Sequence, residues 1–484
     1  MGYYAIGIGG TGAKCLESLI HLAAAGMMPD LKEELYVLFV DPDKANGSLE
    51  RAVTTLECYK TFSNNPQLVQ RHLLQTKIDA VASPIFSPFD EGDDDKPHLE
   101  KFFNYAGLRL ADDGAADLFE VLYSEKERTT QLHEGFRGHP SIGAAVMAQT
   151  VLGGDGPWKT FQAKVANDAN AKIFLAGSIF GGTGASGFPT IAKLIKSALD
   201  GKPIAEQIGG ALILPYFTFI DDGDAQLKAK AEHFLMNTQA ALEYYQRASK
   251  DLVYNAIYLI GDDSQVQLKN FSLGGKAQQN AQHFIEIYAA LAAIHFFGND
   301  GAADGGTQYF RLNRANKPLK WADLPDGAGG VKIQSKLRQL YHFSVAYLDV
   351  YKPMLDDIHR GKVSGNDAPW YIDFFERNQS NRISLNDAKT EASLNSVKNY
   401  CEDFLVWFAN VQHSKDDDGK FNPLDKFDLK RVVNHISSDT TMQPLRAKAL
   451  NRVWQNMCSA KGKSDGADIG KFLSALYQNC ENIQ

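Results

Sequence analysis

The chain has 484 residues, 44% of them hydrophobic and 22% charged, with a formal net charge of −8. That length exceeds one ordinary core, so two or more domains are expected, and the composition is that of a soluble globular protein. The acidic balance argues against broad nucleic-acid or acidic-membrane binding, because no basic surplus neutralises phosphates, and no apolar run reaches the ~20 residues of a bilayer crossing.

In chain order, "YYAIGIG" (3–9) predicts a buried strand and "AKCLESLIHLAAAG" (13–26) a helix closed by glycine. With no basic n-region before that strand, the start does not read as a signal peptide. "ELYVLFVD" (34–41) predicts a second strand, and "AKIFLAGS" (171–178) a third, followed by the helix "FPTIAKLIKSAL". "GGALILPYFTF" (209–219) and "NAIYLIGDD" (255–263) predict further strands around the amphipathic "AEHFLMNTQAALEYYQRA". Strand–helix alternation of this kind indicates a parallel sheet covered on both faces.

"KAQQNAQHFIEIYAALAAIHFFG" (276–298) becomes apolar on every side towards its end, as a helix buried between layers does. "LRQLYHFSVAYLDVY" (337–351) reads as a strand region, and the chain from about 385 as mostly helical. "DEGDDDKPH" (90–98), "GNDGAADGG" (298–306) and "HSKDDDGK" (413–420) read as exposed loops; the acidic ones are metal sites or solvated turns, without calcium-loop spacing. The five cysteines, at 15, 58, 401, 458 and 480, show no Cys-x-x-Cys spacing, which points to a reducing cytoplasm. His21, His233 and His295 lie on predicted helices without metal-ligand spacing and read as packing or surface residues.

Two glycine-rich turns carry the functional signal, "IGIGGTGAKC" and "GSIFGGTGASG" (177–187), each between a predicted strand and helix. Glycines let a backbone approach a ligand closely, and a helix N-terminus favours an anion. The first turn contains Gly7-x-Gly9-x-x-Gly12, and Asp41 ends the second strand where a ribose hydroxyl would be held. It is not a Walker A loop, because Lys14 does not directly follow Gly12 and Cys15 stands where Ser or Thr would be. One glycine turn suits a dinucleotide; two converging on one polyphosphate suit a nucleoside triphosphate better. Tight strand-to-helix packing is the other reading of Gly181, Gly182 and Gly184. No Gly-x-Ser-x-Gly elbow supports a hydrolase triad.

These residues resemble the tubulin/FtsZ superfamily of GTP-binding, filament-forming proteins. "FGGTGAS" (180–186) is similar to its signature loop, with Gly181, Gly182, Thr183 and Gly184 matching and Phe180, Ala185 and Ser186 departing. The first turn resembles the family's first phosphate loop through Gly9, Gly10, Thr11 and Gly12, and "FVDPDKA" its next loop through Asp41. "RGHPSIGAAVM" (137–147) is similar to the third loop through Gly138, Pro140, Ile142 and Gly143, with His139 beside the expected phosphates. Asn280 is nearest to the asparagine or aspartate that meets guanine.

The resemblance spans residues 1 to about 300. It implies a Rossmann-like α/β GTPase domain (1–274, expanded at 59–136), a central helix (275–298) and a second α+β domain (299–484). It also implies that GTP and Mg2+ bind at Gly9, Gly10, Thr11, Gly12, Asp41, Gly138, His139, Pro140, Gly181, Gly182, Thr183, Gly184, Ala185 and Asn280. Lys14 either contacts a phosphate or lies on the exposed face of its helix. Copies would assemble head-to-tail in the cytoplasm, with accessory proteins, and hydrolysis to GDP would be completed at the interface by Asp300 and Asp304. The family spacing there is Asn-x-Asp-x-x-Asp, whereas this chain has Asn299-Asp300 and then Asp304, so a solvated turn stays open. The alternatives are a non-polymerising nucleotide-binding regulator and a NAD(P)-dependent oxidoreductase.

Overall fold

The structure, a computed structural model, describes residues 2–65, 68, 76–80, 83–89, 97–132, 135–136, 139–149, 156–199, 207–219, 225–247, 253–262, 266–268, 280–299, 306–311, 323–325, 330–376, 383–413, 443–459 and 468–481. The predicted apolar runs form strands β1 (Gly2–Ile8), β2 (Glu34–Val40), β5 (Lys172–Ser178), β6 (Ile208–Ile213) and β8 (Ala256–Ile260). Short strands β3 (Ile78–Asp79) and β4 (Ile85–Phe86) both pair with β2, and β10 (Gln308–Arg311) pairs with β8. The eight-stranded sheet is parallel throughout, in the order β10-β8-β6-β5-β1-β2-β3. β1, β5 and β6 are buried along their whole length, which explains continuous apolar runs in place of alternation.

The stretch 209–219 divides. β6 stops at Ile213, while β7 (Phe217–Phe219) pairs separately with β9 (Val266–Leu268). Pro215 between them has no N–H to give a ladder. Both helices behind the glycine turns begin earlier than their sequences suggest. Helix α1 is Gly9–Ala24, and the other is Gly182–Ala198 with Pro189 inside it, so each glycine turn is itself the first helical turn.

The central helix is Phe284–Gly298, shorter than 275–298, and starts at a capping box made by His283 and Glu286. It is buried nearly all round, as expected. Residues 337–351 are a correction: they lie in the helix Val331–Ala346 and a π-helical turn, Tyr347–Tyr351. Aromatic and valine content suggests a strand there, but the helix is buried on every side from Gln339 to Ala346, and a continuous apolar run carries no period that separates helix from strand.

The expected α+β second domain is also changed. β10 lies beyond position 299 yet completes the first sheet, and after Arg311 the described residues contain no strand. The helix Ala388–His413 packs onto α1 and onto α2 (Gly47–Ser63). Phe62 stacks on Tyr400 at 6.0 Å, and Trp407 Nε1 donates to Ser18 Oγ at 3.1 Å. One continuous apolar core runs from the sheet through these C-terminal helices. Among the described residues, no helix is long and apolar enough to cross a membrane.

Candidate functional site

The strand order reverses at β1. From there the chain goes to β2 and β3 on one side, then to β5, β6 and β8 on the other. β1 and β5 are neighbours, with Ile8 opposite Gly177, so both glycine turns leave the carboxyl ends of adjacent parallel strands. In open α/β sheets ligands bind at this switch point.

Each turn is the N-terminus of a long helix, and among the described residues neither has a side-chain cap. The first N–H groups of a helix have no intrahelical acceptor, and the dipole adds positive potential. Together the two turns make a cradle suited to a polyphosphate. The helix Pro140–Ala148, also begun without a side-chain cap at His139, packs beside the second turn through Gly143 against Ser186.

The glycines separate into two kinds. Gly9 has φ +71°, and a Cβ there would lie 3.3 Å from the Thr183 Cβ, so the turns abut and only glycine sits without strain. A Cβ on Gly12 would press into the Ala176 carbonyl oxygen, and one on Gly184 would lie 2.5 Å from the Ser178 carbonyl oxygen. These two let the helices close onto β5; Gly9 and Gly10 shape the cradle. Thr11 and Thr183 are half-buried at its edge, Gly181 caps the second helix, Gly182 opens it and Ala185 lies in its first turn.

Asp41 is buried at the end of β2, where its Oδ1 accepts the Asp43 N–H at 3.0 Å. Burial pushes its carboxyl up to about 8, against that donation, and the Asp43 charge pushes the same way. Burial thus favours the neutral form of this carboxyl, which can donate a hydrogen bond.

Lys14 requires a correction, because it neither lies exposed nor points an unpaired charge at the cradle. It is 2% exposed, and its Nζ sits 2.6 Å from Glu286 Oε1 while donating to the Tyr216 hydroxyl at 2.6 Å. A buried ammonium needs a partner, and the central helix supplies one. His139 is exposed, with Nδ1 3.5 Å from Glu127 Oε1, and Pro140 takes the first helical position. Asn280 precedes the central helix, and its carbonyl accepts from Arg51 Nη1 at 3.2 Å. Gly138, Asp300 and Asp304 lie outside the described residues. His21 is buried, as a packing residue, and His295 is exposed; the side chain of His233 lies outside the described residues.

Sequence reasoning missed Tyr216 and Glu286. Glu286 had one legible signal, its place three residues after His283 in a capping-box pattern, whereas nothing local marks Tyr216. Among the described residues no group of three or more His, Cys, Asp or Glu is arranged to hold a metal ion. None of the family models, curated proteins or solved structures compared with this chain matches it.

Proposed function

We propose that this chain is a tubulin-like nucleotide-binding protein that takes GTP at the β1/β5 switch point. The observation that supports it is the pair of abutting, uncapped glycine turns on adjacent parallel strands. On this reading the N–H groups of Gly10, Thr11 and Gly12 face those of Gly182, Thr183 and Gly184 across the phosphates. Protonated Asp41 hydrogen-bonds the ribose, and Gly9 leaves room for the chain between the turns. Mg2+ would neutralise phosphate charge when bound. Copies stack head-to-tail, and Asp300 and Asp304 of one copy orient water over the nucleotide of the next.

A second reading, a nucleotide-binding regulator that does not polymerise, draws support from the helical C-terminal part. Its packing on α1 and α2 departs from the α+β interface domain of a filament former. The experiment is a titration of the purified protein with GTP, ATP and NAD, with phosphate release and light scattering recorded in parallel. Saturable GTP binding with turnover and rising scattering is expected; binding without either selects the regulator. NAD binding alone would overturn both. Within the first reading, Asp300→Ala and Asp304→Ala abolish phosphate release and leave GTP binding nearly intact.

A further inference from the structure

One buried side chain reaches α1, the second glycine turn and the central helix. Tyr216, in the link between β6 and β7, receives a hydrogen bond at 2.6 Å from Lys14 Nζ on α1, the helix that the first glycine turn opens. It donates to Glu286 Oε1 at 3.1 Å. A tyrosine hydroxyl has one proton and two lone pairs, and this one gives its proton to Glu286 while accepting from Lys14. Its ring lies edge-on to Phe180 of the second turn at 6.3 Å and 4.9 Å from the ring of His283, the cap of the central helix. Burial keeps His283 neutral, and its Nδ1 accepts the Ile285 N–H at 3.1 Å.

From this geometry we infer that Tyr216 is a positioning residue for the phosphate cradle, holding the two glycine turns in register, with the Lys14–Glu286 pair holding Tyr216 in turn. The role rests on the nucleotide reading above. Glycine turns have no side chains of their own to fix them, so a cradle built from them needs an external strut. Lys14, on the helix of the first turn, and Phe180, in the second, are where a strut can grip. A buried ion pair gains little net stability but tolerates only one arrangement, which suits a part that sets geometry.

Tyr216→Phe removes both hydroxyl bonds and keeps the ring. Amide hydrogen exchange of the nucleotide-free protein is expected to quicken about tenfold at residues 9–14, where local opening becomes easier. GTP affinity is expected to weaken about tenfold, with KM rising and kcat little changed, because the cradle is less pre-organised.

Tyr254→Phe is the comparison, since its hydroxyl donates to the Phe188 carbonyl at 2.6 Å and is equally buried. It is expected to lower Tm by a similar amount while leaving both the exchange at 9–14 and the affinity unchanged. Should Tyr216→Phe not fold, Glu286→Gln loosens the same strut with volume kept and predicts the same two changes. The proposal is overturned if Tyr216→Phe and Tyr254→Phe behave alike in both readouts. If the wild-type chain takes no nucleotide, the nucleotide reading falls, and the role in the phosphate cradle falls with it. The exchange experiment then decides only whether Tyr216 orders the first turn.

Discussion

The two ends of α1 differ in what they offer. The first turn of α1, Gly9–Gly12, offers backbone donors and almost no side chain. The turns behind it carry Lys14, Glu17, Ser18 and His21, all buried. Lys14 is held by Glu286 and Tyr216. Glu17 is held by Arg51 at 3.1 Å and Gln282 at 2.6 Å, and Ser18 accepts from Trp407. His21 packs against Trp407 with ring centroids 4.7 Å apart. The helix thus separates its work: charged side chains bind the protein to itself, and the backbone at its tip is left to meet a ligand. A lysine two residues after a phosphate-type loop is therefore an internal strut.

Substitutions behind the first turn should cost mainly stability, with affinity lost only through the cradle's geometry, and those within it should cost mainly affinity. The largest effect is expected from Glu286→Ala, which strands the Lys14 ammonium in the interior and should lower unfolding free energy by about 3–5 kcal/mol, read by urea denaturation. Gly9→Ala should cost only about 1–2 kcal/mol for its left-handed backbone yet weaken GTP binding far more than Glu286→Ala does per unit of stability lost. Equal ratios of affinity loss to stability loss in the two variants would break the comparison.

Asp41 predicts a pH effect from the cradle side. Its folded-state value, about 8, lies above the ordinary carboxyl range. Between roughly pH 4 and 8 the folded chain keeps a proton that the unfolded chain has released, so stability is lost as pH rises through that window. Asp41→Asn should flatten this slope and raise Tm at pH 8 relative to wild type, checked by thermal melts across pH. A slope unchanged by the substitution would assign it to other groups. Glu17 and Asp403, pushed up by burial to about 7 and about 6, act in the same direction. Trp407→Phe, which removes the bond to Ser18 at the far side of α1, should cost about 1 kcal/mol and leave GTP affinity unchanged.

Much of the frame was legible. β1, β2, β5 and β8 are each a short, mainly apolar run between turn signals, because a strand buried on both faces favours apolar residues along most of its length. The two glycine turns stand out for an equally local reason: no other residue permits Gly9 its positive φ or Gly12 and Gly184 their close approach to β5. Where helices begin was less legible, since glycine has low helix propensity and packing against the sheet overrides it.

The fate of the polar residues belongs to the tertiary structure alone. Lys14 and Glu286, or Ser18 and Trp407, are far apart in the chain, and no period or spacing links them. Only the burial of α1 between the sheet, the central helix and the C-terminal helices forces each to find a partner, because an unpaired charge in that interior would cost more than the fold can spare. The sequence determined where a phosphate cradle can be built; the packing around α1 decided which residues are available to line it.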